Sequence, residues 1–288
     1  MNLPINQPVA PPALFYVLKR HTVLFAACGL IGATIAVGIA FMLPKQWPAT
    51  LLFQIGQIGS SGNLLVDPNN VLQRIKFPSF VVQVLQSQNL PIDESTNERS
   101  SLIKKSLTAN LAKGGNLVEL TVRGHSPEEA NANLTAAFQV LQMEHAQLLI
   151  PSITKLKKNL ADATASLKKM EDERTAILDP IKKANSAGTI ERKFSESILL
   201  VSMLKSNEAE TRTFRDQITS LEEQLSPYRT FNTKIITSIF VPKNAIFPKK
   251  SIATVLGLFL GLLVAGIWAF VRDKELRDAI GGTLNDAT

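Results

Sequence analysis

Two long runs without a single charge limit what this chain can fold into. Val23–Leu43 holds 17 hydrophobic residues in 21, and Ile252–Val271 holds 16 in 20. Each is long enough to cross a hydrocarbon core of about 30 Å as a helix. Between them lie 208 residues of ordinary polar character, with 26 basic and 20 acidic side chains. The slightly positive mean hydropathy of +0.11 therefore comes from the two runs alone, and the charge lies outside them. A soluble enzyme and a transporter with many spans are both poor fits. So is a disordered chain, because the middle is rich in Leu, Ile, Val and Phe.

The first run reads as an uncleaved anchor. As a signal peptide it would be too long, would start too far in, and would have a poor cleavage site at Ile39-Ala40-Phe41. Tyr16, Trp47 and Trp268 are the aromatic interface anchors. Lys19 and Arg20 precede the first span, and Arg272, Lys274 and Arg277 follow the second. The first span sets the orientation, which places both termini in the cytoplasm. The only cysteine, Cys28, lies inside the first span, so no disulfide staples the large domain. That usage fits a bacterial periplasmic domain. Asn133-Leu134-Thr135 has the form of a glycosylation acceptor, but such triplets are common by chance.

The expected organisation follows. Residues 1–22 form a cytoplasmic tail, 23–43 the first span, and 44–126 the first part of an α/β base. Residues 127–226 form a long helical hairpin, 227–251 a return strand and a Pro/Lys junction, 252–271 the second span, and 272–288 a second cytoplasmic tail. The fold class is an α+β membrane protein, with two transmembrane helices flanking the base and its coiled-coil-like hairpin.

Within the base, Thr50–Gln57 reads as a strand and Val71–Gln88 as helical pieces broken near Pro78. Ser101–Leu111 and Leu117–Arg123 read as a hairpin about Gly114-Gly115. Ser126-Pro127-Glu128-Glu129 is a helix start, with Ser126 as cap and Glu129 completing a capping box. Pro151 should kink or interrupt that helix. Beyond it Ile153, Leu156, Leu160, Ala163, Leu167, Met170 and Ile177 follow heptad steps, broken only at Arg174. Asp179-Pro180 and Asn185–Gly188 read as a turn. Leu200, Leu204, Thr211, Phe214, Ile218, Leu221 and Leu225 form the returning seam, and Thr233–Val241 a strand.

The sequence contains no phosphate-binding loop, no zinc-protease motif, no nucleophile elbow and no dinucleotide fingerprint. His21, His125 and His145 have no ligand spacing among themselves or with Cys28. No catalytic residue, metal or cofactor is therefore expected. The pairs Lys157-Lys158, Lys168-Lys169 and Lys182-Lys183 are first a solvated face, and second candidate contacts for an anionic polymer or a neighbouring protomer. Nucleic acid is a poor partner for a domain outside the inner membrane. In the spans, Gly257 and Gly261 form G-x-x-x-G, and Gly29, Gly32 and Ala36 supply further small residues at packing spacing.

The most specific feature is the junction before the second span, with Pro242, Lys243, Pro248, Lys249 and Lys250. Two prolines six apart favour extended backbone, and the lysines suit lipid headgroups. Here the chain resembles the Wzz-type polysaccharide co-polymerases, also called chain-length determinant proteins. The resemblance rests on the architecture, on Pro242, Pro248, Lys249 and Gly257, and on Trp47-Pro48-Ala49-Thr50-Leu51-Leu52 after the first span. Ala245 stands where members often have another proline, and the chain is somewhat short. With no phosphate-binding loop, it is expected to be without the tyrosine-kinase domain fused to some relatives.

The resemblance implies a non-enzymatic inner-membrane protein that forms a ring-like homo-oligomer. It would set the modal length of a surface polysaccharide, most often lipopolysaccharide O-antigen. Implied partners are further copies, a Wzy-type polymerase, the growing lipid-linked polysaccharide and membrane lipid. The alternatives are an export adaptor for capsule or exopolysaccharide with the same architecture, and a transmembrane sensor with a helical ectodomain.

Overall fold

The computed structural model describes residues 21–59, 63–93, 97–113, 116–183 and 190–272. Tyr16, the tail residues 1–20 and 273–288, Gly114-Gly115 and the turn at Asn185–Gly188 lie outside the described residues. The chain divides into two units. One comprises Met1–Trp47 with Pro242–Thr288, and the other Pro48–Val241.

The first unit is a pair of apolar helices, α1 (Thr22–Met42) and α7 (Lys250–Arg272). Both are long and apolar enough to cross a membrane.

The second unit is α+β. Its elements are β1 (Trp47–Gln54, entering from the first unit), α2 (Pro68–Lys76), α3 (Pro78–Ser87), α4 (Glu98–Ser106), β2 (Thr108–Leu111), β3 (Leu117–Gly124), α5 (Pro127–Lys183), α6 (Ile190–Leu225) and β4 (Lys234–Ile235). The sheet order is β2-β3-β1-β4. Alternation decides the core. Ala49, Leu51 and Phe53 of β1 and Val118, Leu120 and Val122 of β3 are buried, while the residues between them are not. The first turns of α5 cover that face with Ala130, Leu134, Ala137, Phe138 and Leu141. The Phe138 ring lies 5.7 Å from that of Phe53. Fully burying side chains of this size stabilises the fold by about 1.5–3 kcal/mol each.

Local chemistry sets the helix starts. Asp67 accepts the Asn69 N–H at 2.8 Å, with Pro68 in the first turn of α2. The Asn97 side chain accepts from Arg99 and Ser100. Ser126 accepts the Glu129 N–H at 3.1 Å and caps α5. The carboxyl of Glu128 is held below its ordinary range by its own backbone N–H and by Ser126.

Four expectations need correction. Ser101–Ser106 is the end of a helix rather than a strand, and only Thr108–Leu111 pairs with β3. Its apolar residues Leu102 and Ile103 are adjacent, and together they face the core from one side of a short helix. Pro151 does not end α5. The carbonyl it leaves unpaired, four residues back at Gln147, is on an exposed residue where water can bond it, and the helix is anchored on both sides of the proline. Asp179-Pro180 is likewise helical, since α5 continues to Lys183. The return strand is reduced to Lys234–Ile235, with single bridges from Phe231 to Gln57 and from Phe240 to Thr50. Between them Ile236 and Thr237 both donate to the Leu52 carbonyl, and the Thr237 hydroxyl takes the Leu52 N–H. A side chain occupies the place of a ladder partner and bends the edge.

Candidate functional site

Small residues let α1 and α7 approach to backbone contact. A Cβ added to Gly32 would stand 2.4 Å from the Gly257 carbonyl oxygen, and one on Gly257 would stand 2.4 Å from the Ala36 Cβ. At Gly261 it would lie 2.2 Å from the Cys28 carbonyl oxygen. Gly29 is buried but roomier, with Leu262 at 3.6 Å. Gly38 and Gly266 have nothing within 4 Å. Four of the five small residues of the spaced motifs thus meet in one contact line, with Gly29 beside it. Without a hydrophobic driving force, close backbone approach is what packs such helices.

The junction closes one end of this pair. The Gln46 N–H donates to the Phe247 carbonyl at 3.1 Å, and the Ile246 N–H to the Gln46 carbonyl at 2.9 Å. The Trp47 indole N–H reaches the Lys243 carbonyl at 3.4 Å. The Lys250 ammonium sits 4.0 Å above the centre of the Phe41 ring, a cation–π contact. Pro248 lines the cavity that results, Pro242 lies outside it, and Lys249 is exposed with its carbonyl capping α7 through Ala253. Trp268 is exposed on α7, away from the junction.

In the second unit, α5 and α6 form the helical hairpin. At 57 residues, α5 is roughly 86 Å long. Its heptad positions are buried or half-buried, as are those of α6. One seam position is polar. Asn207 fills the step between Leu204 and Thr211, is buried, and donates to the Met170 carbonyl at 2.8 Å. Its own oxygen and the Thr211 hydroxyl are buried without a partner. A polar residue at such a position is a recognised means of fixing register. The Glu171 carboxylate bridges to Arg215 across the hairpin at 3.2 Å. Lys157, Lys158, Lys168 and Lys169 are all exposed. Lys169 lies 3.8 Å from Glu173. The two pairs stand about 16 Å apart along the helix and do not converge. The side chains of Lys182 and Lys183 lie outside the described residues.

One titratable group is buried where α5 meets the return segment. His145 is 4% exposed, and its Nδ1 is hydrogen-bonded to the Thr233 hydroxyl. That hydroxyl also accepts the Gly56 N–H at 3.0 Å. The Gln142 amide donates to the Thr233 carbonyl at 3.0 Å. Burial pushes the imidazole below its ordinary range, opposed by the neighbouring Glu144. The folded protein therefore holds His145 neutral at a pH where the unfolded chain protonates it. Stability is expected to fall as pH drops through about 6.5, and to stop falling on this account below the folded group's own lower value. Denaturant midpoints from pH 7.5 to 5 check this. His145→Gln is expected to flatten the curve relative to the parent, and an unchanged slope would refute the assignment.

Among the described residues no cluster of His, Cys, Asp or Glu is suited to a metal ion. Asn133 is fully buried, so the glycosylation triplet presents no acceptor in the folded protein.

These features define a class: a pair of apolar helices joined to an α+β unit that carries a long helical hairpin. Residues 13–98 match the family described as "Wzz: Chain length determinant protein". This stretch includes α1, the segment leading into β1, and α2 and α3. Among solved structures, a full-length bacterial polysaccharide co-polymerase is 15% identical, covering 92% of this chain and 97% of that one, with a TM-score of 0.40. The wild-type Shigella flexneri lipopolysaccharide O-antigen chain-length regulator is 14% identical, covering 69% and 99%, with a TM-score of 0.22. The periplasmic domain of a chimeric WzzB chain length regulator is 10% identical, covering 69% and 99%, with a TM-score of 0.24. The sequence has no match among curated proteins.

Proposed function

We propose that this protein is a two-span inner-membrane co-polymerase that sets the modal length of a surface polysaccharide, most simply lipopolysaccharide O-antigen. It acts as a ring-like homo-oligomer beside a Wzy-type polymerase and the growing lipid-linked polysaccharide, and it does no covalent chemistry itself. Both termini are cytoplasmic and the unit from Pro48 to Val241 is periplasmic. The observation that carries the reading is the chain length determinant match over residues 13–98, which spans the first apolar helix and the start of the base.

One further feature supports assembly. Phe194, Ile198 and Val201 form an exposed apolar stripe at helical spacing on α6, with Leu199 and Met203 beside it. A stripe of that kind on a long hairpin suits burial against another copy.

A deletion strain examined for lipopolysaccharide banding tests the proposal. The expected result is loss of the modal band with polymer still made. An unchanged ladder refutes it, and loss of all surface polymer favours the export-adaptor reading. Native mass measurement of the full chain in detergent is expected to show a ring of several copies, and a monomer would refute that part.

A further inference from the structure

The junction end of the helix pair contains a cavity of about 310 Å³. Lys45, Lys243 and Lys250 line it together with Phe41, Trp47 and Phe247. Residues 21–47 and 242–272 contain no Asp or Glu, and none of the three lysines has a carboxylate partner among the described residues. Three lysines lining one small cavity, with no internal counter-charge, call for an anion from outside the fold. The Lys250 ammonium stands over the Phe41 ring, which fixes its place while leaving its charge open to an anion on its far side.

The surroundings narrow the anion to one borne by a lipid. The cavity sits where the apolar helices end, flanked by an indole, at the level where headgroups meet chains. A second, apolar groove of about 360 Å³ runs along the same two helices, lined by Cys28, Ile31, Ile35, Leu260 and Val264 among others. Its lining on α1 ends at Ile39, and that of the cavity begins at Ala40. We propose that the cavity binds the phosphate of a membrane lipid, whose chain lies along this groove. The phosphate oxygens take charge-assisted hydrogen bonds from the lysines.

Two sources share this chemistry: a bulk anionic phospholipid, and the lipid-linked saccharide intermediate that the proposed function implies. The inference rests on that reading only for the helices being spans.

The test uses the full chain in mild detergent, with phosphatidylglycerol, phosphatidylcholine or a polyprenyl diphosphate as probes, and native mass spectrometry to count bound lipid. Each of Lys45→Gln, Lys243→Gln and Lys250→Gln is expected to weaken binding roughly fivefold, and the three together on the order of a hundredfold. Arginine at all three positions should keep binding, and Lys157→Gln with Lys158→Gln should leave it unchanged. Circular dichroism controls for folding. Stronger binding of the diphosphate identifies the saccharide intermediate as ligand, and stronger binding of phosphatidylglycerol identifies bulk lipid. Equal binding by the parent and the triple glutamine variant overturns the proposal, as does full displacement by equimolar inorganic phosphate. If binding fails in this way while a deletion strain loses its modal band, the lipid site falls and the chain-length reading stands.

Discussion

Gly261→Leu is expected to separate the two apolar helices and to abolish modal banding. The reason is what a side chain would meet. A Cβ at residue 261 would fall 2.2 Å from the Cys28 carbonyl oxygen, 2.9 Å from its carbon and 3.0 Å from the Gly29 Cα. All three are backbone atoms, so no rotamer change relieves the clash and the helices must move apart. Overpacking of a well-fitted contact typically costs about 1–3 kcal/mol, and here the contact is the backbone approach itself. Cys28 is half-buried beside it and serves as a reporter. Its labelling by a membrane-permeant maleimide is expected to rise severalfold in the variant. Gly266→Leu is the control, because nothing lies within 4 Å of its Cβ direction, and it should leave labelling and banding unchanged. Equal effects at both positions would show that the glycines act through something other than this contact.

That contact was partly legible in the sequence, since four-residue spacing of small residues marks a helix face whatever the fold. The two apolar helices were legible for the same reason, because length and lack of charge are local properties. So was the start of α5, where Ser126 and Pro127 act on residues one turn away. What escaped depends on residues distant in the chain. The lysines of the junction stood out, but their companions Phe41, Lys45 and Trp47 lie about 200 positions earlier. Asn207 is hidden from a pattern of apolar residues because it is polar, even though it keeps the seam's spacing. Ser101–Ser106 is too short for periodicity to separate helix from strand. At Pro151 and Pro180 local preference favours a break, which a helix held on both sides overrides.

Asn133 is the sharpest case of that limit, and its replacement should have the largest effect on stability. Read locally it begins a glycosylation triplet. In the fold it is fully buried, and its amide joins α4 and α5 to the end of β3. Its oxygen accepts from the Arg99 Nε at 3.0 Å and from Nη2 at 2.7 Å, and its nitrogen donates to the Arg123 carbonyl at 3.0 Å. Arg99 in turn bonds Gln88 and lies 3.6 Å from Glu129. Asn133→Leu removes the acceptor for a half-buried guanidinium and leaves the Arg123 carbonyl without that donor. The expected loss is about 3 kcal/mol, which is roughly 10 °C in Tm for a unit of this size. Asn133→Asp separates the two halves of the arrangement. It keeps an acceptor for Arg99 and even strengthens it with charge, but it turns a donor at Arg123 into a second oxygen facing a carbonyl. It should therefore lose less than the leucine variant at pH 7. Its deficit relative to the parent should shrink as pH falls through the carboxyl's range, where protonation restores one donor. Thermal melts of the three proteins at pH 7 and pH 4.5 check both points. An aspartate variant as unstable as the leucine one at both values would show that the Arg99 contact contributes little.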